Sequence, residues 1–264
     1  MKIPGTTIYI TGAAGGLGSA IAMACAKAGA HVALFDRDAE GLAALTKNLQ
    51  AQPNVGKIVP VVADLSSEEG VQVGMGEALK AFDGCVEVLI SNIGVLVTGS
   101  FEELSNEDWE RAFTLNFLTH VWAIRAVLPY MRSQERGHIV LMGSDQGKQP
   151  DRELGAYAAA KAAVHSLVKT LARELPAPSI TVNGVAPGIT RTPLVMKDLM
   201  AVLKKKHQTN DPAQAEQKEV EKRDIPLGRF GEPDEVAQAV MFLIQNSFSH
   251  GIILPLDGGN VRSM

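Results

Sequence analysis

What this chain lacks narrows its function first. Cysteine occurs only at Cys25 and Cys85, too few for a disulfide framework or a four-ligand zinc site. Cys25 falls in an Ala-rich run and Cys85 beside a strand pattern, so both read as small buried hydrophobes. The six histidines (31, 120, 138, 165, 207 and 250) show no ligand spacing, and no metal is expected. There is no basic excess: the net charge is −4 and the pI about 5.9, which argues against a nucleic-acid binder. No apolar run approaches the ~18 residues that span a bilayer. The opening residues, Met1 to Gly5, show no signal-peptide pattern, so a cytoplasmic protein is expected. Internal repeats, low-complexity tracts and Gly/Ser linkers are absent.

What is present is a chain of 264 residues, 46% hydrophobic, long enough for a substantial core. Short β-branched runs alternate with longer helical patterns. Strands are expected near residues 8–11, 31–35, 58–62, 86–91, 138–142, 179–185 and 251–256. Helices are expected near 17–28, 39–50, 68–82, 106–131, 156–174 and 233–245. Several strand runs are apolar throughout rather than alternating, as in a parallel sheet covered on both faces. The expected fold class is α/β: a Rossmann-like doubly wound parallel sheet of about seven strands with helices on both faces. One domain is read over residues 1–264. A long charged excursion at about 191–226, containing Lys204, Lys205 and Lys206, reads as a substrate lid.

The turn after the first strand is rich in glycine, with Gly12, Gly16 and Gly18 before a helical run. Glycines there permit a tight turn and close approach of a pyrophosphate, while a helix N-terminus offers free N–H groups and a positive dipole end. The spacing is Gly-x-x-x-Gly-x-Gly, and no Gly-Lys-Ser/Thr follows, so a P-loop is excluded. Asp36 ends the second strand, where a carboxylate accepts hydrogen bonds from an adenosine ribose and repels a 2′-phosphate. NAD is therefore expected over NADP, with Arg37 directed to solvent. Asp64, after the third strand, is a candidate for the adenine edge or a helix N-cap.

Tyr157 and Lys161 are four residues apart in a helical run, so they share a helix face. A free tyrosine titrates near ~10, and a neighbouring ammonium favours the phenolate. Bringing that value to neutrality requires about 4 kcal/mol. The pair is expected to supply a proton acceptor made acidic by an amine.

Together these residues resemble the short-chain dehydrogenase/reductase family, in its shorter single-domain branch, from Thr11 to Gly259. Thr11-Gly12-x-x-x-Gly16-x-Gly18 is similar to its cofactor turn. Asn92 and Gly94 match its Asn-Asn-Ala-Gly motif, with departures at Ser91 and Ile93. Asp257-Gly258-Gly259 matches its C-terminal signature, while His250-Gly251 departs from the usual Thr-Gly. The resemblance implies a catalytic set of Asn116, Ser144, Tyr157 and Lys161. Tyr157 acts as general base or acid, Ser144 binds the substrate oxygen, and Lys161 also holds the nicotinamide ribose. Asn116 kinks its helix and holds a water linking Lys161 to solvent. Further cofactor contacts are implied at Leu17 and Leu65, and in the Pro187-Gly188 segment with Thr190 and Thr192. A homotetramer is implied as well. Trp109 and Trp122 read as core or interface residues, and the last five residues as a possible part of such an interface.

The loop from Asp145 to Leu154 is too polar for a steroid or long acyl chain. Gln146 and Arg152 are candidate substrate contacts beside Ser144 and Tyr157; Lys148 and the lid lysines are alternatives for an anionic group. Val95 to Thr98 reads as an apolar wall. The leading expectation is an NAD-dependent enzyme interconverting a secondary alcohol and a carbonyl on a sugar, polyol or hydroxy acid. An NADPH-dependent carbonyl or 3-oxoacyl reductase is the alternative, and a non-catalytic NAD(H) sensor is the alternative of another class.

Overall fold

The computed structural model describes all residues except 176–179, 194, 197–199 and 262–264, with the backbone alone at 201 and 202. Its centre is a seven-stranded parallel sheet: β1 (Thr7–Thr11), β2 (His31–Asp36), β3 (Ile58–Val62), β4 (Val88–Ser91), β5 (Gly137–Met142), β6 (Ile180–Pro187) and β7 (Ile253–Leu256). The order across the sheet is β3-β2-β1-β4-β5-β6-β7. The expected strand starting at Ser179 begins outside the described residues; β6 is described from Ile180.

Alternation along the strands explains why they read as continuously apolar. In β1, Ile8 and Ile10 enter one core while Tyr9 enters the other. In β2, Val32 and Leu34 face the first core, and Ala33 and Phe35 the second. Each face is then covered by helices, so neither set of side chains meets water. The first core packs α1 (Gly16–Lys27), α2 (Ala39–Gln50) and α9 (Pro233–Gln245) on the sheet. The second packs α3 (Glu68–Ala81), α5 (Thr119–Ser133) and α6 (Gly155–Glu174). Trp122 packs on this second core. Trp109 lies in a smaller cluster with Val97, Ala112 and Ala156.

Two differences from the sequence expectation bear on the site. The long helix expected from Asn106 is broken: α4 (Asn106–Phe113) passes through a π-helical turn (Thr114–Leu118) before α5. The charged excursion folds into α7 (Met200–Lys206) and α8 (Pro212–Arg223), joined by their own apolar cluster of Met200, Leu203, Ala215, Val220, Ile225 and Phe230. The strand order reverses between β1 and β4. In open parallel sheets, ligands bind at such a reversal, beyond the carboxyl ends of the strands.

Candidate active site

A cleft of about 450 Å³ opens at that reversal. At one end the chain leaves β1 through Gly12, whose φ of +64° is costly for a residue with a Cβ. Gly12, Gly15, Gly16 and Leu17 line the cleft. A Cβ at Gly16 would lie 2.7 Å from Pro193 Cδ and 2.8 Å from Thr192 Cβ. Gly18 does not line the cleft. A Cβ there would lie 2.0 Å from the Gly12 carbonyl oxygen, so Gly18 lets α1 pack on the turn rather than touching a ligand. The first turn of α1 has no side-chain cap, which leaves its amides for a ligand.

Asp36 lies on the cleft wall at the end of β2. Its carboxylate accepts hydrogen bonds from the Ala14 amide (3.0 Å) and the Asp38 amide (3.1 Å). Arg37 is exposed, as expected, and also lines the cleft. Asp64 and Leu65 line the same end. Asp64 is not an N-cap: Ser67 caps α3, and Asp64 accepts from the Ser66 amide at 3.0 Å. Hydrogen bonds from Ser66 hold the Asp64 carboxyl below the usual range. Asn92 donates from Nδ2 to the carbonyls of Thr11 (3.3 Å) and Gly12 (3.2 Å), tying β4 to the glycine turn.

Ser144, Tyr157 and Lys161 line the middle of the cleft. Lys161, only 3% exposed, donates from Nζ to the Met142 carbonyl at 2.8 Å. Its Nζ lies 5.8 Å from the centre of the Tyr157 ring. The expectation of an acidified tyrosine is not met by the protein groups alone. Burial pushes the Tyr157 phenol up to about 12, with Ser144 opposing and the Asp145 charge adding to the rise. Burial also brings the Lys161 ammonium down to about 7. The physical reason is that desolvation disfavours both charged forms more than the ammonium, at this separation, favours the phenolate. Ser144 Oγ donates to Asp145 Oδ1 at 3.0 Å and accepts from the Gln146 amide at 3.2 Å.

Asn116 sits in the π-helical turn and is fully buried. Its Nδ2 donates to the carbonyls of Val95 (3.0 Å) and Ala112 (2.9 Å), and its Oδ1 accepts from the Val95 amide (3.0 Å). The amide therefore pins the chain after β4 and does not line the cleft. Gly94 makes this possible: a Cβ there would lie 2.9 Å from Asn116 Oδ1 and 3.4 Å from Lys161 Nζ.

Pro187, Gly188, Thr190 and Thr192 line the far wall. Thr190 Oγ1 donates to the Gly188 carbonyl at 3.1 Å, and Thr192 Oγ1 accepts from the Val195 amide at 3.3 Å. Val95 and Leu96 line the cleft, whereas Val97 is buried in the cluster beneath. Chain after Ser144 turns into a short 3₁₀ segment (Asp145–Gly147), so the alternation that would aim Gln146 like Ser144 is lost. Gln146 still borders the cleft, but its Nε2 donates to Asp151 Oδ2 (2.9 Å) and its Oε1 accepts from the Asp151 amide (2.8 Å). Arg152 and Lys148 are exposed and lie off the cleft, as do Lys204, Lys205 and Lys206.

The short chain dehydrogenase family profile matches residues 6–201. The chain belongs to this family. The 3-oxoacyl-(acyl-carrier-protein) reductase of Thermotoga maritima is 33% identical over 263 residues, covering 99% of this chain and 100% of that one. The 2,3-dihydro-2,3-dihydroxybenzoate dehydrogenase of Bacillus subtilis is 32% identical over 260 residues, covering 97% and 96%. Among solved structures, L-sorbose reductase from Gluconobacter frateurii, complexed with NADPH and L-sorbose, superposes with a TM-score of 0.91 at 29% identity over 100% of both chains. This chain is accordingly a short-chain dehydrogenase/reductase, an oxidoreductase of the CH–OH/carbonyl type on a fold that binds a nicotinamide cofactor.

In this short-chain dehydrogenase, sequence reasoning missed three cleft residues with charged side chains. Asp145 is 5% exposed and follows Ser144 directly. Arg223, from α8, and Arg111, from α4, complete that end. Arg223 sits about 70 residues beyond the polar loop it meets, so no local pattern could assign it. Asp145 was visible beside Ser144, but its burial was not.

Proposed function

We propose that this protein is an NAD-dependent dehydrogenase interconverting a secondary alcohol and a carbonyl on a small, polar, hydroxylated substrate. The observation that carries the reading is the juxtaposition of Ser144, Tyr157 and Lys161 in a cleft that runs from the glycine turn to a polar loop. The glycine turn fits a dinucleotide: Gly12 and Gly16 occupy positions a Cβ would crowd, and the α1 N-terminus is uncapped. Gly12, Gly15, Gly16 and Leu17 would hold the pyrophosphate. Asp36, Asp64 and Leu65 would hold the adenosine end. Asn92, Gly94, Pro187, Gly188, Thr190 and Thr192 would flank the nicotinamide half. When bound, the cofactor supplies the acceptor or donor of the hydride.

The chain's own residues would handle the proton and the developing charge. With its phenol held near 12, Tyr157 is protonated at neutral pH and suited to protonate a carbonyl oxygen in reduction. In oxidation it must start as the phenolate, a form the ammonium of Lys161 favours, and it becomes the phenol on taking the hydroxyl proton. Gln146 and Asp145 hold Ser144 in place, and its hydroxyl would turn its proton from Asp145 to stabilise the same oxygen. Asn116 acts as a positioning residue: it anchors Val95 and, through Gly94, the approach to Lys161. The segment of α7 and α8 is proposed as the substrate lid, and residues 1–264 as one catalytic domain.

A polar substrate is supported by the charged and amide side chains at Asp145, Gln146 and Arg223, and by the hydroxylated substrates in the names of two similar proteins. A second reading, an NADPH-dependent carbonyl reductase, is favoured by Arg37 on the cleft wall and by NADPH in similar solved structures. The Asp36 carboxylate beside it would repel a 2′-phosphate, which supports NAD. The test is reduction of NAD⁺ and NADP⁺ across sugars, polyols, hydroxy acids and hydrophobic alcohols. NAD⁺-linked turnover of the hydroxylated compounds is expected. Preference for hydrophobic substrates or for NADP⁺ would refute the corresponding part.

A further inference from the structure

Asp145 is a carboxylate on the wall of the catalytic cleft with no part in the proton chemistry. It is 5% exposed, and burial raises its pKa against hydrogen bonds from Ser144, Asn260 and Gln146 and the charge of Arg223. Burying a carboxylate is costly before its hydrogen bonds are counted. Asp145 is held in one orientation: Oδ1 accepts from Ser144 Oγ at 3.0 Å, and Oδ2 accepts from Asn260 Nδ2 at 3.1 Å. A carboxylate oxygen accepts more than one hydrogen bond, so both retain capacity for a ligand donor. Across from it Gly188 has no side chain; a Cβ there would lie 3.6 Å from Asp145 Oδ2. Asp145 lines the cleft, and Gly188 places no side chain against Oδ2.

We propose that Asp145 is a specificity-determining residue that accepts a hydrogen bond from a substrate hydroxyl on the carbon next to the reacting one. The enzyme then takes vicinal diols and the matching α-hydroxyketones. The inference rests on the reading that Ser144 binds the reacting oxygen. Asp145 Oδ1 lies 3.0 Å from Ser144 Oγ. Neighbouring oxygens of a vicinal diol are separated by about the length of an O–H···O hydrogen bond, ~2.8 Å. A diol with one oxygen at Ser144 therefore brings its second oxygen to the carboxylate. A buried acceptor left without its donor rejects substrates lacking the hydroxyl, and such discrimination reaches ~10⁴-fold in sites built this way.

The experiment compares kcat/KM for cyclohexane-1,2-diol, 2-methoxycyclohexanol and cyclohexanol with the full-length enzyme and NAD⁺ or NADP⁺. The methoxy compound keeps the second oxygen but not its proton. Wild-type enzyme is expected to prefer the diol to both others by about tenfold or more. In Asp145→Asn and Asp145→Ala, checked for folding by thermal melting, the preference should fall to within about threefold of unity. Asn260→Ala, which removes only the tie to Oδ2, should keep it. The inference is overturned by a wild-type enzyme that oxidises all three equally, or prefers the methoxy compound as strongly as the diol. It is also overturned if Asp145→Ala keeps the wild-type ratio, if Asn260→Ala loses it equally, or if the Asp145 variants alter only the cofactor KM. Failure of both Asp145 variants to fold leaves the decision to the three-substrate comparison on wild type. Turnover without diol preference leaves the proposed reaction standing. Absence of turnover across these alcohols and the wider panel removes the reaction and this inference together.

Discussion

Arg223, on α8, is ion-paired with Asp151 in the loop that follows β5, and so joins the charged excursion to the wall of the cleft. The pair is part of a network. Arg223 Nε also donates to Glu219 Oε1 at 2.7 Å, and Glu219, 1% exposed, binds Lys206 and His207 at 2.8 Å each. On the other side Asp151 holds Gln146. A partly buried guanidinium with two carboxylates is a fixed connection rather than a surface contact.

Asp151→Ala should therefore loosen α8 without touching the cofactor end. The expected result is a rise of about tenfold in substrate KM, equivalent to about 1.4 kcal/mol, with cofactor affinity within about twofold of wild type. Steady-state kinetics with both ligands varied checks this. An equal loss for substrate and cofactor would contradict a connection confined to the substrate end.

Gly94→Ala should act through Asn116 and Lys161. The added methyl meets Asn116 Oδ1 at 2.9 Å and Lys161 Nζ at 3.4 Å, in a region where all polar atoms of Asn116 are already bonded. Overpacking of this kind costs about 1–3 kcal/mol. A lower melting temperature together with a fall in kcat exceeding about tenfold is expected. Unchanged kcat would show that Lys161 tolerates displacement.

Tyr157→Phe removes the proposed proton donor and preserves the ring. A loss of about 10²–10⁴-fold in kcat is expected, with cofactor binding retained in a fluorescence titration. Activity within tenfold of wild type would exclude Tyr157 as the acid.

Asp36→Ala should shift coenzyme use. Asp36 and Arg37 both line the cleft, so under the proposed cofactor orientation removal of the carboxylate leaves the Arg37 cation to attract a 2′-phosphate. The ratio of kcat/KM for NADP⁺ over NAD⁺ is expected to rise by about tenfold or more, which is about 1.4 kcal/mol. No change in the ratio would mean that Asp36 serves only the Ala14 and Asp38 amides.

Stability should fall in acid because of buried and half-buried histidines. Burial lowers His138 and His165 to about 4, and takes His120 well below its ordinary value. The unfolded chain protonates these rings near ~6.5, whereas the folded chain does not until about 4. Their contribution is complete above ~6.5 and is lost progressively as the pH falls to about 4. Denaturant unfolding at pH 7 and pH 5 should show the lower stability at pH 5. His138→Gln should reduce that difference by up to about 2 kcal/mol. Equal stability at the two pH values would refute it.

The sequence by itself determined the sheet, the glycine turn and the Tyr157–Lys161 spacing, because these are local. Runs of apolar residues specify strands buried on both faces, and a four-residue step specifies a shared helix face. Gly18 packs against the Gly12 carbonyl within the same turn, whereas Gly16 meets Thr192 and Pro193 from across the fold. Tertiary structure decided what depends on burial and on distant partners. It raised the Tyr157 phenol where proximity to Lys161 alone predicted the reverse, because desolvation is set by everything packed around the ring. It turned Gln146 toward Asp151 by a 3₁₀ segment, removed Arg152 from the cleft and brought Arg223 to it from α8. Contacts between residues so far apart are fixed by the closure of the whole fold, and short-range pattern carries no record of them.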